Sequence, residues 1–195
     1  VGGLLNETEY FYGLTRDLEA ESPGDLGRVR TVAAPGGVLR SFRVAFSSCA
    51  MTASDDPVFD EIASGNHDLF IHMGDVHYED IEENEVPLFR EAYALVHGSP
   101  SQQRLFRSLP LAYVWDDHDY GPNDSDMFSP SREASLEAYK RCVPHPAVTP
   151  PAASQAIYQA FSAGRTRFVL PDLRSESAPN GQLVSEAQLA WLLEE

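Results

Sequence analysis

Three places along the chain carry side chains that bind metal ions in proteins. Cys49 ends one apolar segment, Asp75 follows Gly74 at the end of a second, and residues 116–119, Asp-Asp-His-Asp, follow a third. Carboxylates and imidazoles coordinate hard and borderline cations, and a thiol joins them as a thiolate. Adjacent carboxylates repel each other when they are buried together without a cation. These residue types therefore favour a site for multivalent cations, with an acid beside the ligands.

Each segment also has a purely structural interpretation. A carboxylate directly after Gly74 is typical of a turn in which the Asp caps the next segment. Residues 116–119 could form a solvated acidic loop, and Cys49 could be a buried structural thiol. Tyr78, three residues after Asp75, could return to the same site as a phenolate, which suits a trivalent iron. The choice depends on whether the three segments meet in the fold.

The segments before these residues are predicted to be strands of one sheet. Residues 42–46, 69–73 and 111–115 are apolar runs that are typical of buried strands. We predict helices near residues 57–63, 86–96, 102–108 and 130–143, further strands near 156–161 and 166–170, and a last helix starting with a capping box of Ser185 and Gln188. Sites in α/β sheets form beyond the carboxyl ends of the strands. The three segments therefore converge if their strands are neighbours.

The first part of the chain has a different pattern. Residues 9–14 and 27–32 are predicted extended segments, separated by a polar loop that contains Pro and Gly. Residues 34–37, Ala-Pro-Gly-Gly, then form a linker. We interpret residues 1–37 as the last strands of a small β-domain, cut off at its start.

Composition limits the classes of partner. The 195 residues include thirty acidic residues against fourteen Lys and Arg, which gives a formal net charge of −16. Such a charge repels nucleic acid and anionic membranes, because both bind to basic surfaces of proteins. No apolar run approaches the roughly 18 residues that a membrane span needs, and no signal peptide is recognisable. Two cysteines are too few for a disulfide scaffold, so composition leaves the compartment open.

Taken together, five motifs resemble one known family. They are residues 46–49 (FSSC), 68–80 (DLFIHMGDVHYED), 115–119 (WDDHD), 172–174 (DLR) and 188–192 (QLAWL). Their order and rough spacing resemble those of the PhoD-like phosphatases, the alkaline phosphatase D branch of the calcineurin-like metallophosphoesterases. The resemblance implies an α/β fold with a two-sheet sandwich flanked by helices. It identifies residues 38–195 as the N-terminal part of that domain and residues 1–37 as the end of a preceding immunoglobulin-like β-domain with its linker.

The resemblance also implies a metal site that contains Fe³⁺ and Ca²⁺, with other divalent cations as alternatives. Carried over residue by residue, Cys49, Asp75 and Tyr78 would bind the iron. Asp75 would bridge to the second cation, helped by Asp117 and Asn123.

The implied activity is hydrolysis of phosphate mono- or diesters by metal-activated water. His118 would be the catalytic histidine, and Arg174 would contact the phosphate of a small-molecule or polymeric substrate. Family members are commonly exported, so the resemblance implies an extracytoplasmic or secreted protein. A non-catalytic cation-binding module with an incomplete metal site is the alternative, and a purely structural interaction domain is the third hypothesis.

Three features depart from the family pattern or imitate it. The family also takes ligands from a later Gly-Asp-x-His segment, which the sequence lacks, so we expect a longer full-length protein or a fragment with an incomplete site. His77 replaces an apolar residue and is either an extra ligand or a loop residue. Residues 65–68 spell Gly-Asn-His-Asp, a metallophosphoesterase signature. They precede the Gly-Asp motif and lie at the start of a strand instead of its end, so we expect a helix-terminating turn there. Cys142 and His145 are interpreted as structural.

Overall fold

The computed structural model describes residues 3–13, 26–38, 41–145 and 156–195. Within these ranges the chain forms seven strands and six helices. In chain order they are β1 (Glu9–Tyr12), β2 (Gly27–Arg30), β3 (Val44–Ser47), α1 (Pro57–Ser64), β4 (Leu69–His72), α2 (Val86–Gly98), α3 (Pro100–Ser108), β5 (Leu111–Tyr113), α4 (Asp117–Tyr120), α5 (Arg132–Cys142), β6 (Gln159–Ala163), β7 (Thr166–Leu170) and α6 (Glu186–Glu194).

A parallel sheet in the order β3-β4-β5 forms the centre of the fold. Val44 pairs with Leu69, and Phe70 pairs with Leu111, so the three strands run side by side in one direction. Leu69 and Phe70 of the central strand are buried, as their apolar run predicts. The prediction of three neighbouring strands is therefore confirmed, although each strand differs from its predicted bounds by one or two residues.

Helices cover both faces of this sheet. Phe70 and its neighbours on one face pack against Phe59 of α1 and Leu105 of α3. Leu69 and the opposite face belong to a larger cluster with residues of α2 and α5, including Phe89, Ala92, Tyr93, Val96, Ala138 and Tyr139. Burial of both faces holds the sheet rigid and fixes the loops that leave its edge.

Two antiparallel pairs accompany the central sheet. Strands β1 and β2 pair from Glu9 opposite Arg30 to Tyr12 opposite Gly27, which confirms both predicted extended segments. The loop predicted between them lies largely outside the described residues. Strands β6 and β7 pair as an antiparallel hairpin; β7 has the predicted bounds, and β6 begins three residues later than predicted.

The last helix shows how tertiary contacts replace a local motif. The Ser185 hydroxyl accepts a hydrogen bond from the Gln188 N–H at 3.1 Å, as predicted for the start of α6. The Gln188 side chain does not complete the capping box, because it bonds the backbone of Asp172 and the carboxylate of Glu176 instead. Among the described residues, no helix is long and apolar enough to cross a membrane.

Candidate metal centre

The loops after β3, β4 and β5 meet at the carboxyl edge of the parallel sheet. The first two are joined by backbone hydrogen bonds, because Cys49 N–H donates to the carbonyl of Gly74 at 3.1 Å and Ala50 N–H donates to that of Asp75 at 2.8 Å. The third loop, after β5, contains Asp116 and Asp117, and residues 117–120 form the short helix α4, not the solvated acidic loop of the structural alternative. The structure thus brings together the three segments that the sequence singled out.

The backbone at this edge is strained. Cys49 and Asp75 have φ angles of 61° and 56°, in the left-handed region that L-residues rarely adopt. Gly74, with φ of 101°, must be a glycine, since an added Cβ would stand 2.4 Å from Cβ of Asp116. Non-glycine residues in this region each cost about 1–3 kcal/mol and cluster at functional sites.

Asp75 lies between the thiol of Cys49 and the phenol of Tyr78. Its Oδ2 accepts hydrogen bonds from Tyr78 Oη at 3.1 Å and from Cys49 Sγ at 3.5 Å. Its Oδ1 is buried and has no hydrogen-bond partner among the described residues. Burial raises the pKa of Asp75, and the charges of Asp116 and Asp117 raise it further. Burial, together with the neighbouring Cys49 and Asp75, raises the pKa of Tyr78 well above its usual value.

A second carboxylate and an imidazole complete the cluster. Asp75, Asp117 and His118 each offer one ligand atom, and these atoms lie within 4.8 Å of one another. Asp117 is buried, and its Oδ2 accepts a hydrogen bond from the Asp124 N–H at 2.6 Å. Ligand atoms lie about 2.0–2.6 Å from a bound cation, so atoms within 4.8 Å of one another can share one.

His118 is held by a residue from the loop after β4. Its Nδ1 lies 2.6 Å from Oδ1 of Asp80, and its ring lies against the ring of Tyr78 with centroids 4.3 Å apart. Burial alone would lower the pKa of His118, but the hydrogen bond to Asp80 and the charges of Asp80, Asp117 and Asp75 outweigh it, so that the pKa is raised. Because Asp80 engages Nδ1, the atom left for the cluster is Nε2.

Arg174 supplies the positive charge nearest to these carboxylates. Its Nε donates to Oδ1 of Asp116, and its Nη2 lies 3.1 Å from Oδ1 of Asp117. One guanidinium thus faces Asp75, Asp116 and Asp117. The excess of negative charge and the unpartnered Oδ1 of Asp75 fit a bound cation, because buried carboxylates are stable only when they are paired or coordinate metal ions.

Three further features from the sequence analysis, namely Asn123, His77 and residues 65–68, lie outside the cluster. Asn123 is exposed, and its side-chain amide donates to Asp124 at 2.9 Å. His77 points into the core, where its ring stands edge-on to Tyr93 at 5.4 Å between centroids, so it is neither an extra ligand nor a simple loop residue. Gly65 is the C-cap residue of α1, and His67 Nδ1 lies 3.1 Å from the carbonyl of Ile62, as expected for a helix-terminating turn.

Three further carboxylates lie within the quoted motifs, but sequence reasoning gave none of them an individual role. Asp80 lies in the acidic stretch of residues 79–85, whose acidic members, Asp80 included, are exposed as expected of a solvated loop. Asp119 and Asp172 are fully buried and accept several backbone N–H bonds, including those of Asp75 and Arg174 respectively. Their individual roles depend on partners far along the chain, which no local pattern predicts.

The fold and the cluster can be compared with known proteins. Residues 44–195 match the family described as PhoD-like phosphatase. The chain belongs to this family. The resemblance inferred from the five motifs is therefore confirmed over most of the chain.

A solved structure gives a second comparison. The "Structure of PhoD" superposes with a TM-score of 0.74 over 87% of this chain, at 20% sequence identity. At this identity the match shows a shared fold, a mixed α/β arrangement with helices around a parallel sheet. The chain spans 41% of the length of that PhoD chain. Among curated protein sequences, none matches.

Proposed function

We propose that this chain carries part of the active site of a metal-dependent phosphoesterase that hydrolyses phosphate mono- or diesters. One observation carries the proposal. One oxygen each of Asp75 and Asp117 and one ring nitrogen of His118 lie within 4.8 Å of one another at the carboxyl edge of a parallel sheet, in a chain of the PhoD-like phosphatase family. The likeness to PhoD shows the fold alone, so the activity rests on the family and on the geometry of this cluster.

Two sets of side chains would hold cations. Cys49, Asp75 and Tyr78 offer a thiol, a carboxylate and a phenol that already contact one another, which suits Fe³⁺. Asp75 and Asp117 offer oxygens suited to Ca²⁺ or another hard divalent cation, and we include the exposed Asn123 as a further ligand that would have to turn toward them. Bound cations would lower the pKa of a water molecule and neutralise charge on the phosphoryl oxygens.

His118 would act as the acid of the reaction. Asp80 fixes the orientation of the ring through Nδ1 and favours its protonated form. A protonated imidazole at the edge of the cluster can donate its Nε2 proton to the departing alkoxide, or stabilise the negative charge that develops there. Retention of cation binding in His118→Ala would support this role, whereas loss of binding would make His118 a ligand.

Arg174 would bind the substrate phosphate. The guanidinium spans Asp116 and Asp117 and also lines a cleft of about 450 Å³, together with Leu173 and Leu183. Its remaining N–H groups are available to phosphate oxygens, which a planar guanidinium recognises well. The cleft has room for the alcohol part of an ester, small or polymeric. In Arg174→Lys, KM for the ester should rise more than kcat falls.

The experiment pairs metal content with turnover. Purified wild-type protein, Asp75→Asn and the matched control Glu91→Gln, on the exposed face of α2, are analysed by elemental mass spectrometry and assayed with bis-(p-nitrophenyl) phosphate and p-nitrophenyl phosphate. We expect metal and turnover in the wild type and control, and loss of both in Asp75→Asn. Metal without turnover in the wild type would favour the cation-binding module, and equal turnover in Asp75→Asn would refute the proposal.

We also propose a domain arrangement and a location. Residues 1–37 would be the end of an immunoglobulin-like β-domain, which the antiparallel β1–β2 pair supports, and residues 38–195 the N-terminal part of a two-sheet metallophosphatase domain. Limited proteolysis that separates residues 1–37 from an intact 38–195 fragment would support this boundary. The family further suggests an extracytoplasmic or secreted protein, which fractionation of the source cells would test.

A further inference from the structure

Asp119 connects two of the loops that carry the cluster. It lies in α4, its side chain is completely buried, and its carboxylate accepts four backbone N–H bonds. Oδ1 accepts from Val76 at 2.5 Å and from His77 at 3.3 Å. Oδ2 accepts from Asp75 at 2.7 Å and from Asp116 at 3.0 Å. One carboxylate therefore fastens the loop after β4 to the loop after β5.

This arrangement differs from that of a metal ligand. Asp119 is not among the residues whose ligand atoms converge on the cluster. Its oxygens are taken up by backbone N–H groups, which are the partners that make a buried carboxylate tolerable. Three of the four N–H groups belong to consecutive residues, Asp75, Val76 and His77, and the first of these has a left-handed φ angle. The bonds offset the cost of that conformation, which aims Asp75 at the cluster.

We propose that Asp119 is a positioning residue, a buried clamp that fixes the backbone of Asp75, Val76 and His77 so that the Asp75 carboxylate faces the cluster before any cation binds. The inference rests on the proposed function only in taking Asp75 to be a ligand. Groups that orient metal ligands typically change metal affinity about 10- to 100-fold when they are removed. Asp119 acts one step further out, through the backbone that carries the ligand.

Two variants separate this role from general support of the fold. Asp119→Asn keeps the size of the side chain, but replaces one acceptor oxygen with an NH₂ group that faces backbone donors. Asp172→Asn is the matched control, because Asp172 is equally buried and accepts bonds from Trp115 Nε1 and from the N–H of Ile157, both at 2.9 Å. Asp172 supports the segment before Arg174 and makes no bond to the loop of Asp75.

The first readout is amide hydrogen exchange of the wild-type protein in a chelator. If Asp119 clamps the loop without metal, the amides of Asp75 and Val76 exchange as slowly as those of β4. Exchange as fast as that of the exposed residues 82–85 would overturn the proposal. This measurement needs no variant, so it decides the question even if Asp119→Asn does not fold.

The second readout is the Kd of Ca²⁺, measured by isothermal titration calorimetry well below the melting temperature of each variant. We expect Asp119→Asn to raise Kd about 10- to 100-fold and to lose protection at Asp75 and Val76, while Asp172→Asn keeps Kd within about twofold of the wild type. Equal weakening in both variants, or none in Asp119→Asn, would overturn the clamp. If the wild type itself binds no cation, the proposed function fails, and the exchange readout still tests the clamp.

Discussion

Acidification should destabilise the protein through His72, the last residue of β4. The side chain is 1% exposed, and neither ring nitrogen has a hydrogen-bond partner among the described residues. The ring lies between those of Phe70 and Tyr113, with centroids 6.0 and 5.8 Å away. Because a charged imidazole is poorly solvated there, burial lowers the pKa of His72 from 6.5 to about 4.

The sign of the effect follows from proton uptake in the two states. Between pH 6.5 and pH 4 the unfolded chain protonates His72 and the folded chain does not, so the free energy of unfolding falls as the pH falls through this window. At about 1.4 kcal/mol for each unit of pKa shift, the loss from this one residue is about 3 kcal/mol at pH 4 and below. Above pH 6.5 the residue adds no pH dependence.

Urea unfolding of the metal-free protein, followed by the fluorescence of Trp115, measures this loss. His72→Leu removes the titrating group, so its stability relative to the wild type should rise by about 3 kcal/mol between about pH 7.5 and pH 4. Phe70→Leu, in the same strand, is the control, because it lowers stability by a similar amount at every pH. If wild type and His72→Leu lose stability in parallel, the reasoning from burial is wrong.

Three further predictions concern the loops of the cluster. Gly74→Ala should lower the free energy of unfolding by about 2 kcal/mol or more, because its Cβ meets Asp116 and its backbone is left-handed; an unchanged urea midpoint would contradict this. Asp75→Asn should raise the melting temperature in a chelator, because it removes a charge that burial and the carboxylates of Asp116 and Asp117 disfavour. A lower melting temperature would contradict this account of the Asp75 charge. Asp80→Asn should slow hydrolysis of an alkyl phosphate ester more than that of a p-nitrophenyl ester, because the alkoxide is the poorer leaving group and needs the proton of His118. Equal slowing of both esters would argue against His118 as the acid.

The position of the cluster could be predicted because it follows from patterns within short stretches of the sequence. Each of the three strands is an apolar run that ends in polar, metal-binding residue types, and the carboxyl ends of neighbouring parallel strands share one edge. Cys49, Asp75 and Asp117 were therefore expected at the same place, and the structure brings them there. Their role as metal ligands remains a prediction.

The supporting contacts could not be predicted because they join residues far apart in sequence. Asp80 and His118 are 38 residues apart, and Asp80 is one of several exposed acidic residues in its stretch, so no local feature distinguishes it. Asp119 reaches residues more than 40 positions away. The inward orientation of His77 likewise depends on the packing of α2. Each contact depends on how the helices pack against the sheet, which an isolated sequence pattern does not show.

The way the loop after β4 is held bears on redesign of the centre. Its path is set by bonds from the main chain to Asp119, and these bonds do not depend on which side chain stands at position 75. A ligand could therefore be exchanged for a residue that tolerates left-handed angles, such as Asn or His, while the loop keeps its course. Metal preference could then be changed by substitution at a single position, while the backbone of the surrounding loops keeps its conformation.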